Sequence, residues 1–215
     1  MMIDRQTLRT HLRHERKRLS MKARETTANQ AAAYLVASAL YQKSEHIACY
    51  LACGSEINTQ RIIDQIWRDQ KNCYLPVLHP TKEGFLVFQR YDPDTLLRPN
   101  KYRILEPAWD EKKQIELMAL DLVIVPLVAF DQRGYRLGAG GGYYDRTFAF
   151  RANPTPIKKP ILCGLAYSLQ EVERLESAGW DVRLDMVVTE IGLNTYADVD
   201  AKVPAQSSLN LFAAQ

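Results

Sequence analysis

The sequence predicts an α/β protein: a three-layer α/β/α sandwich around a mostly parallel, Rossmann-like sheet, with a pair of helices at its N-terminal end. Three observations lead to this prediction. Short apolar runs alternate with segments of helical periodicity between residues 47 and 188, which favours strands joined by helices. The run 122–125 is apolar throughout, as in a strand buried on both faces. A glycine-rich loop follows it, and doubly wound sheets bind ligands beyond the carboxyl ends of their strands.

The predicted helical pair occupies the first 42 residues. Asp4 can cap a helix over 4–19, in which leucines recur at helical spacing, and Ser20 can cap a second helix over 21–42. The first helix carries basic side chains on one face, at Arg5, Arg9, Arg13 and Arg16. This stripe is either a solvated basic face or a contact for an anionic ligand, and the sequence leaves both interpretations open.

The rest of the chain alternates between strands and helices. Strands are predicted over 47–51, 73–77, 85–89, 120–125, 161–165 and 186–188. Helices are predicted after Thr59, over 143–151 and over 169–176, and 92–107 is predicted to be a loop. We expect a single domain over 1–195, followed by a loosely ordered tail over 196–215.

Composition and charge argue against several classes of protein. With 47% hydrophobic and 25% charged residues among 215, the chain has the composition of a globular protein. No apolar run reaches the roughly 20 residues that span a membrane, so no membrane partner is expected. The net charge of +3 lacks the strongly basic character of nucleic-acid-binding domains. The four cysteines form no Cys-x-x-Cys pair, which favours reduced thiols in a cytoplasmic protein.

The glycine-rich loop 138–142 is the strongest local signal. Four of its five residues are glycine, so its backbone can adopt positive φ and present N–H groups to an anion. Arg136 and Arg146 flank the loop with positive charge, and Asp145 could hold a magnesium ion. The alternative is a turn that packs a helix closely on a strand, but the flanking charges favour a phosphate site. Tyr143 stands where a P-loop needs lysine and where a dinucleotide fingerprint needs glycine.

Motifs spread over nearly the whole chain form a specific pattern. They are Arg5-x-x-x-Arg9, Tyr50-Leu51 with 56–59, Leu75-Pro76, 104–107, 121–126, the Phe-Asp-x-x-Gly and glycine-loop motifs within 130–145, and Asp185. This pattern resembles the 5-formyltetrahydrofolate cyclo-ligases, also called methenyltetrahydrofolate synthetases. The glycine loop ending in Tyr-Tyr-Asp is its strongest part. Arg103 stands where a glycine often precedes the Ile-x-Glu-Pro motif of that family.

The resemblance implies an activity and a set of site residues. The activity is ATP- and magnesium-dependent cyclisation of 5-formyltetrahydrofolate to 5,10-methenyltetrahydrofolate, through a phosphorylated formyl oxygen and with release of ADP and phosphate. The implied ATP-binding residues are Arg5, Gln6, Thr7, Leu8, Arg9, Arg136, Leu137, Gly138, Ala139, Gly140, Gly141, Gly142, Tyr143 and Tyr144. The implied folate-binding residues are Leu51, Glu56, Ala139, Gly140, Gly141, Gly142 and Tyr143. The implied magnesium ligands are Asp145 and Asp185, and the implied catalytic residues are Arg136 and Asp145.

Three other functions are compatible with parts of the sequence. A family paralogue could keep the ATP site and act on a different compound. A sugar-phosphate isomerase or CoA transferase could use a similar sheet without ATP. A nucleic-acid- or partner-binding protein could use the basic N-terminal helix, although the remainder of the chain is weakly acidic. We expect an ATP-dependent enzyme with small-molecule partners only, acting as a monomer.

Overall fold

A large, mostly parallel sheet confirms the predicted α/β fold class. The computed structural model describes residues 4–152 and 159–196. The helices are α1 Arg5–Arg18, α2 Met21–Ala37, α3 Ala39–Lys43, α4 Gln60–Arg68 and α5 Tyr143–Thr147. The strands are β1 His46–Ala48, β2 Asn72–Leu78, β3 Leu86–Arg90, β4 Leu97–Pro99, β5 Leu105–Pro107, β6 Gln114–Ile115, β7 Leu122–Val125, β8 Ala129–Asp131, β9 Arg136–Leu137, β10 Ile161–Leu165, β11 Glu171–Val172, β12 Met186–Thr189 and β13 Gly192–Thr195.

The central sheet has eight strands in the order β13-β12-β10-β7-β1-β2-β3-β6. Its five middle strands, from β12 to β2, are parallel, and the outer strands β13, β3 and β6 are antiparallel to their neighbours. The chain starts at β1, moves to β2 on one side and then continues from β7 on the other side. The carboxyl ends of β1 and β7 therefore form the switch point at which such sheets bind ligands.

Helices capped by short polar side chains precede the sheet. Asp4 accepts hydrogen bonds from the backbone N–H groups of Gln6 and Thr7, and the Ser20 hydroxyl accepts one from Ala23. These contacts confirm both predicted caps, because each satisfies backbone donors that a helix leaves unpaired at its start. The predicted helix 21–42 is divided at Ser38, where the backbone is extended and the side chain caps α3.

Helices and turns cover the two faces of the sheet unequally. On one face, α2, α3 and α4 bury a cluster that includes Leu35, Ile63 and Ile66. On the other face, α5 and the following 3-10 turn Ala149–Ala152 bury Phe148 against Phe88. Helix α1 contributes Leu12 to a third cluster next to β8 and β9. Helix α1 thus lies against the segment that leads into the glycine loop.

Several predicted elements differ from the structure because tertiary hydrogen bonds decide the backbone conformation. Segment 169–176 is not a helix: a 3-10 turn Ser168–Gln170 leads into β11, and the Gln170 amide donates to two carbonyls of the β7–β8 connection. Helix 143–151 ends earlier, at Thr147. The predicted loop 92–107 contains the hairpin of β4 and β5. Thr59 precedes α4 but donates its hydroxyl to the Tyr50 carbonyl instead of capping the helix.

The proposed division into a domain and a tail falls partly outside the described residues. Strands of the central sheet extend from His46 to Thr195. Tyr196, the first residue of the predicted tail, is buried, and its backbone N–H donates to the Asp185 carbonyl. The rest of that tail, 197–215, lies outside the described residues.

Candidate active site

A cavity of about 210 Å³ opens at the switch point of the sheet. Its walls come from the segments that follow β1 and β7, from β2 and β3, from the β4–β5 hairpin region and from the glycine loop; they include Tyr50, Leu51, Glu56, Leu75, Leu86, Tyr102, Ile104, Leu127, Val128, Arg136, Ala139 and Tyr144. Most of these side chains are apolar, so we call it the apolar cavity. It can enclose a flat organic ligand and offers a few polar groups for orientation.

Positive φ angles define the backbone of the glycine loop. Gly140 has φ of +117° and Gly142 has φ of +65°, and Gly142 directly precedes α5. A Cβ atom on Gly142 would lie 2.8 Å from the Arg146 guanidinium, whereas one on Gly140 would have no atom closer than 3.9 Å. The positive φ favours glycine at both positions, and a side chain on Gly142 would in addition have to displace the Arg146 guanidinium.

The basic stripe of α1 faces the glycine loop. Arg9 Nε donates to the Gly138 carbonyl at 2.9 Å, and Arg13 Nη2 donates to the Ala139 carbonyl at 3.0 Å. Arg5, one turn earlier, forms an ion pair with Asp181 at 3.0 Å. Because two of these guanidinium groups contact the loop and the third is paired with Asp181, the stripe is not a fully solvated face.

The other predicted residues of α1 lie in different environments. Gln6 and Thr7 form the first turn, where their N–H groups bind Asp4 and their side chains are exposed. Leu8 packs against the third apolar cluster, together with the buried side chain of Leu137. Any contact of Leu137 with a nucleotide would therefore involve the backbone, whereas the side chain of Leu8 is only partly buried.

A second cavity, of about 630 Å³, lies on the other side of the glycine loop. Its walls carry most of the charged groups of the region: Asp145, Arg146, Arg151, Asp181, Arg183 and Asp185. We call it the charged cavity. Gly142 and Asp145 belong to the walls of both cavities, so the end of the glycine loop separates them.

Ion pairs hold the three carboxylates of the charged cavity: Arg5 pairs with Asp181, Arg136 with Asp145 and Arg151 with Asp185. Asp145 Oδ1 accepts from Arg136 Nη2 at 2.8 Å and from the Val182 N–H at 3.2 Å. Asp185 is almost fully buried, and both of its oxygens accept from Arg151 Nη2 at 2.7 Å. Burial lowers the pKa of Arg136, and the Asp145 carboxylate partly opposes this shift.

The fit of these carboxylates to magnesium differs between the two positions. No described residue donates a hydrogen bond to Asp145 Oδ2, which leaves this oxygen available at the end of the loop. Asp185 Oδ2 also accepts from the Leu162 N–H, so Asp185 reaches a metal only if Arg151 moves. Within the described residues, no three His, Cys, Asp or Glu side chains form a metal cluster. Magnesium commonly uses one or two carboxylates and takes its other ligands from phosphates and water, so the donor set fits.

The two tyrosines after the loop occupy different surroundings. The Tyr143 hydroxyl hydrogen bonds with the Tyr102 hydroxyl at 2.8 Å, and the Arg146 guanidinium lies 5.5 Å from the Tyr143 ring centroid. The Tyr144 hydroxyl is shielded from solvent and has no partner among the described residues, and Tyr144 is one of the residues that line the apolar cavity. Burial raises the pKa of Tyr144, and the nearby Glu56 carboxylate raises it further, so this hydroxyl stays protonated.

Glu56 places a carboxylate at the edge of the apolar cavity. One oxygen accepts from the Cys53 N–H at 2.9 Å, which fixes the turn after β1. Burial raises the pKa of Glu56, and this effect is opposed by the Cys53 N–H and by the positive charges of Arg16 and Arg13. Arg16 is itself buried and donates to the Leu127 carbonyl at 3.2 Å.

Comparisons with known proteins agree on one family. The model of the 5-formyltetrahydrofolate cyclo-ligase family matches residues 1–190. The chain belongs to this family. Two curated relatives carry the name 5-formyltetrahydrofolate cyclo-ligase: the Haemophilus influenzae protein is 39% identical over 84% of this chain and 94% of its own length, and the Escherichia coli K12 protein is 37% identical over 83% and 96%. This membership confirms the predicted enzyme class, a ligase of folate chemistry.

Solved structures confirm the cyclo-ligase fold. An NMR structure of 5,10-methenyltetrahydrofolate synthetase from Aquifex aeolicus is similar with a TM-score of 0.75, at 27% identity over 97% of this chain and 99% of that one. The Mycoplasma pneumoniae synthetase has a TM-score of 0.68 at 23% identity, over 87% and 99%, and supports the fold alone. No helix in the described parts of the chain has both the length and the apolar character needed to cross a membrane.

Sequence reasoning missed the contacts of two residues in this candidate site, Tyr102 and Arg146. Tyr102 lies in the predicted loop 92–107, and its hydroxyl hydrogen bonds with that of Tyr143. The only signal in the sequence was its position just before the Ile-x-Glu-Pro motif. Arg146 donates hydrogen bonds to the carbonyls of Gly84 and Gly141, so its guanidinium links the glycine loop to the turn before β3. Arg103 has φ of +61°, a left-handed conformation that explains the glycine often found at this position of the family.

Proposed function

We propose that this cyclo-ligase converts 5-formyltetrahydrofolate into 5,10-methenyltetrahydrofolate, consuming ATP with magnesium and releasing ADP and phosphate. The observation that carries the proposal is the shared wall of the two cavities. One cavity is small and mostly apolar, the other is charged, and Gly142 with Asp145 separates them. A folate ring in the first and a triphosphate along the loop would bring the formyl oxygen next to the γ-phosphate.

The chemistry explains why such an alignment suffices. A formamide carbon is a poor electrophile, and its oxygen is a poor leaving group. Attack of the formyl oxygen on the γ-phosphorus releases ADP and turns that oxygen into a phosphate ester. The second folate nitrogen then attacks the formyl carbon and loses its proton, and phosphate departs as the ring closes. The protein contributes alignment and charge neutralisation more than covalent chemistry.

Most of the predicted residues have a place in this proposal. Leu51, Glu56 and the loop residues 139–143 would contact the folate, while the loop backbone and the arginines of α1 would contact the nucleotide. Arg136 lies in the apolar cavity wall and would orient Asp145 through their ion pair. Asp145 and Asp185 would hold magnesium, which neutralises negative charge on the transferring phosphoryl group.

The structure supports this function over the other candidates. The contacts of Arg9 and Arg13 with loop carbonyls favour a site role for α1 over a nucleic-acid-binding face.

The single sheet that extends from His46 to Thr195 favours one domain over 1–195. We extend the proposal to a cytoplasmic monomer with no nucleic-acid or membrane partner.

The test of the proposed function is formation of the methenyl chromophore from 5-formyltetrahydrofolate. We expect absorbance to rise only when ATP and magnesium are both present, and ADP to form in equal amount. Turnover without ATP would favour an isomerase or transferase. ATP hydrolysis stimulated by another compound, with no methenyl product, would favour a paralogue with a different substrate.

Arg9→Ala should raise the KM for ATP by roughly ten- to a hundredfold. The guanidinium holds the Gly138 carbonyl at 2.9 Å beside the proposed phosphate path, and a charge-assisted contact contributes about 1.5–3 kcal/mol. Steady-state kinetics at saturating folate measures the effect. Arg18→Ala is the matched control, because it removes the same charge from the same helix at an exposed position that pairs, among the described residues, only with Glu15. Equal ATP kinetics in both variants would remove Arg9 from the site.

Glu56→Gln should raise the KM for 5-formyltetrahydrofolate by about tenfold and leave the KM for ATP unchanged. The amide can still accept from Cys53, but it loses the charge that strengthens hydrogen bonds from ring N–H groups. Because burial raises the pKa of Glu56, the wild type should lose folate affinity as the pH falls through that raised pKa. The variant should lack this pH dependence.

The effect of Glu56→Gln on the stability of the protein provides an independent check that the pKa of Glu56 is raised. A raised folded-state pKa means that ionisation of Glu56 costs stability, and the cost grows as the pH rises through that pKa. Glu56→Gln should therefore be at least as stable as the wild type near pH 8, measured by thermal unfolding. Glu190→Gln, a change at another partly buried carboxylate that binds Ser168, is the control for the kinetics. A matching change in the folate KM of the control would contradict a specific role for Glu56.

A further inference from the structure

An exposed tryptophan stands in the wall of the charged cavity. Trp180 is 77% exposed, and of the exposed large hydrophobic side chains in the described parts of the chain it alone lines this cavity. Single apolar side chains are common on protein surfaces. Trp180 differs from such a residue because it borders the cavity in which a phosphate-bearing ligand is proposed to bind. Its indole is therefore accessible to that ligand.

The turn that carries Trp180 is held by hydrogen bonds across its base. The Asp181 N–H donates to the Ala178 carbonyl at 3.0 Å, and the Ala178 N–H donates to Asp181 Oδ2 at 2.8 Å. Arg5 of α1 pairs with the same carboxylate at 3.0 Å, and the Asp181 side chain is almost fully buried. Gly179 and Trp180 thus form the tip of a fixed turn. A fixed turn loses little conformational entropy when its side chain meets a ligand.

This turn lies close to the end of the glycine loop. Val182, two residues after Trp180, donates its backbone N–H to Asp145 at 3.2 Å. Consecutive Cα atoms are about 3.8 Å apart, so the backbone at Trp180 lies within about 8 Å of that at Val182. Gly142 and Arg146 line the same cavity as Asp145. One cavity of about 630 Å³ therefore joins the end of the glycine loop to an exposed aromatic side chain.

We propose that the indole of Trp180 is the stacking surface for the adenine base of ATP. This inference rests on the proposed function, because it places ATP in the charged cavity with its phosphates beside Gly142 and Asp145. A planar base gains from contact with an aromatic face, and such stacking requires no matching hydrogen bonds. The charged groups of the cavity would bind the phosphates, while Trp180 would bind the uncharged part of the nucleotide.

The position of Trp180 favours the nucleotide over the folate as its partner. Trp180 does not line the apolar cavity, and the shared wall formed by Gly142 and Asp145 separates it from that cavity. Stacking would also supply a kind of recognition that the glycine loop lacks. Backbone N–H groups and guanidinium groups bind any polyphosphate, whereas an aromatic surface distinguishes a nucleotide from an inorganic polyphosphate. Adenine and guanine would stack alike, because both present a purine face.

The first test compares Trp180→Ala with Trp180→Phe and with the control Trp109→Ala. Trp109 is also exposed but lines neither cavity. We expect Trp180→Ala to raise the Kd and the KM for ATP by roughly tenfold, and Trp180→Phe, which keeps an aromatic face, by no more than about threefold. Trp109→Ala should leave both constants unchanged. The KM for 5-formyltetrahydrofolate and the thermal stability of Trp180→Ala should match the wild type. An unchanged Kd for ATP in Trp180→Ala, or a raised KM for the folate alone, would overturn the proposal.

The second test removes the base from the ligand. Inorganic tripolyphosphate, used as a competitor of ATP, should bind the wild type and Trp180→Ala with the same inhibition constant. An equal loss of affinity for ATP and for tripolyphosphate would show that Trp180 acts on the phosphates, and it would overturn the stacking role. If the wild type binds ATP but forms no methenyl product, the proposed function fails and these affinities still decide the inference. If the product forms and Trp180→Ala binds ATP normally, only the inference fails.

Discussion

Gly140→Val should raise the KM for ATP by at least ~10²-fold, the largest effect that we expect from a change in the glycine loop. Gly140 has φ of +117°, a conformation that a β-branched residue strongly disfavours. A Cβ atom there would meet nothing closer than 3.9 Å, so the loss comes from backbone strain and not from a clash. The loop would relax and turn its N–H groups away from the phosphates, a loss of about 3 kcal/mol.

Gly192→Val is the matched control for Gly140→Val. Gly192 has φ of +147°, starts β13 far from the loop in sequence, and would likewise accept a Cβ atom with no other atom within 4 Å. Both variants should lose a similar ~1–3 kcal/mol of stability from strain, measured by thermal unfolding, and only Gly140→Val should lose ATP binding in calorimetric titration. If Gly140→Val fails to fold while Gly192→Val folds, the glycine serves packing and the phosphate interpretation is wrong.

Local signals in the sequence were sufficient for most of the fold. The apolar run of β7 and the caps at Asp4 and Ser20 are local features, and each appears in the structure where it was predicted. Segment 169–176 shows the limit of this reasoning. Its apolar spacing suggests a helix, but the Gln170 amide binds two carbonyls of the β7–β8 connection, and β11 pairs with β8. Such pairings join residues about 40 positions apart and leave no local pattern.

The sequence named residues for a candidate site, but it could not predict how their charged side chains pair with one another. The spacing of basic residues on α1 left a solvated face and an anionic contact equally open, and the structure places Arg9 and Arg13 on the loop carbonyls. The sequence could not indicate that Arg5 pairs with Asp181, 176 positions away. The sequence also suggested that the Arg136 guanidinium is available to a ligand. Instead Arg136 is 5% exposed, and its guanidinium donates hydrogen bonds to Asp145 and to the Val182 carbonyl. Distant partners decide which charges remain available to a ligand.

Asp145→Asn should lower turnover by at least ~10²-fold, because the proposed magnesium contact loses its charge while size and polarity are kept. A carboxylate in the first turn of α5 would by itself contribute only ~1 kcal/mol to the stability of the protein, through the helix dipole. The structure adds a second effect, the ion pair with buried Arg136 at 2.8 Å. Removing one charge of a buried pair leaves the other uncompensated, so we also expect a stability loss of roughly 3 kcal/mol.

The magnesium dependence separates these two effects of Asp145→Asn. Asp131→Asn is the matched control: Asp131 is buried, pairs with Arg133 at 2.6 Å and borders neither cavity. Both variants should unfold at lower temperature than the wild type. Only Asp145→Asn should need a higher magnesium concentration for half-maximal turnover, because the metal then relies on fewer negative ligands. A normal magnesium optimum in Asp145→Asn, with a stability loss equal to that of Asp131→Asn, would leave Asp145 as the structural partner of Arg136.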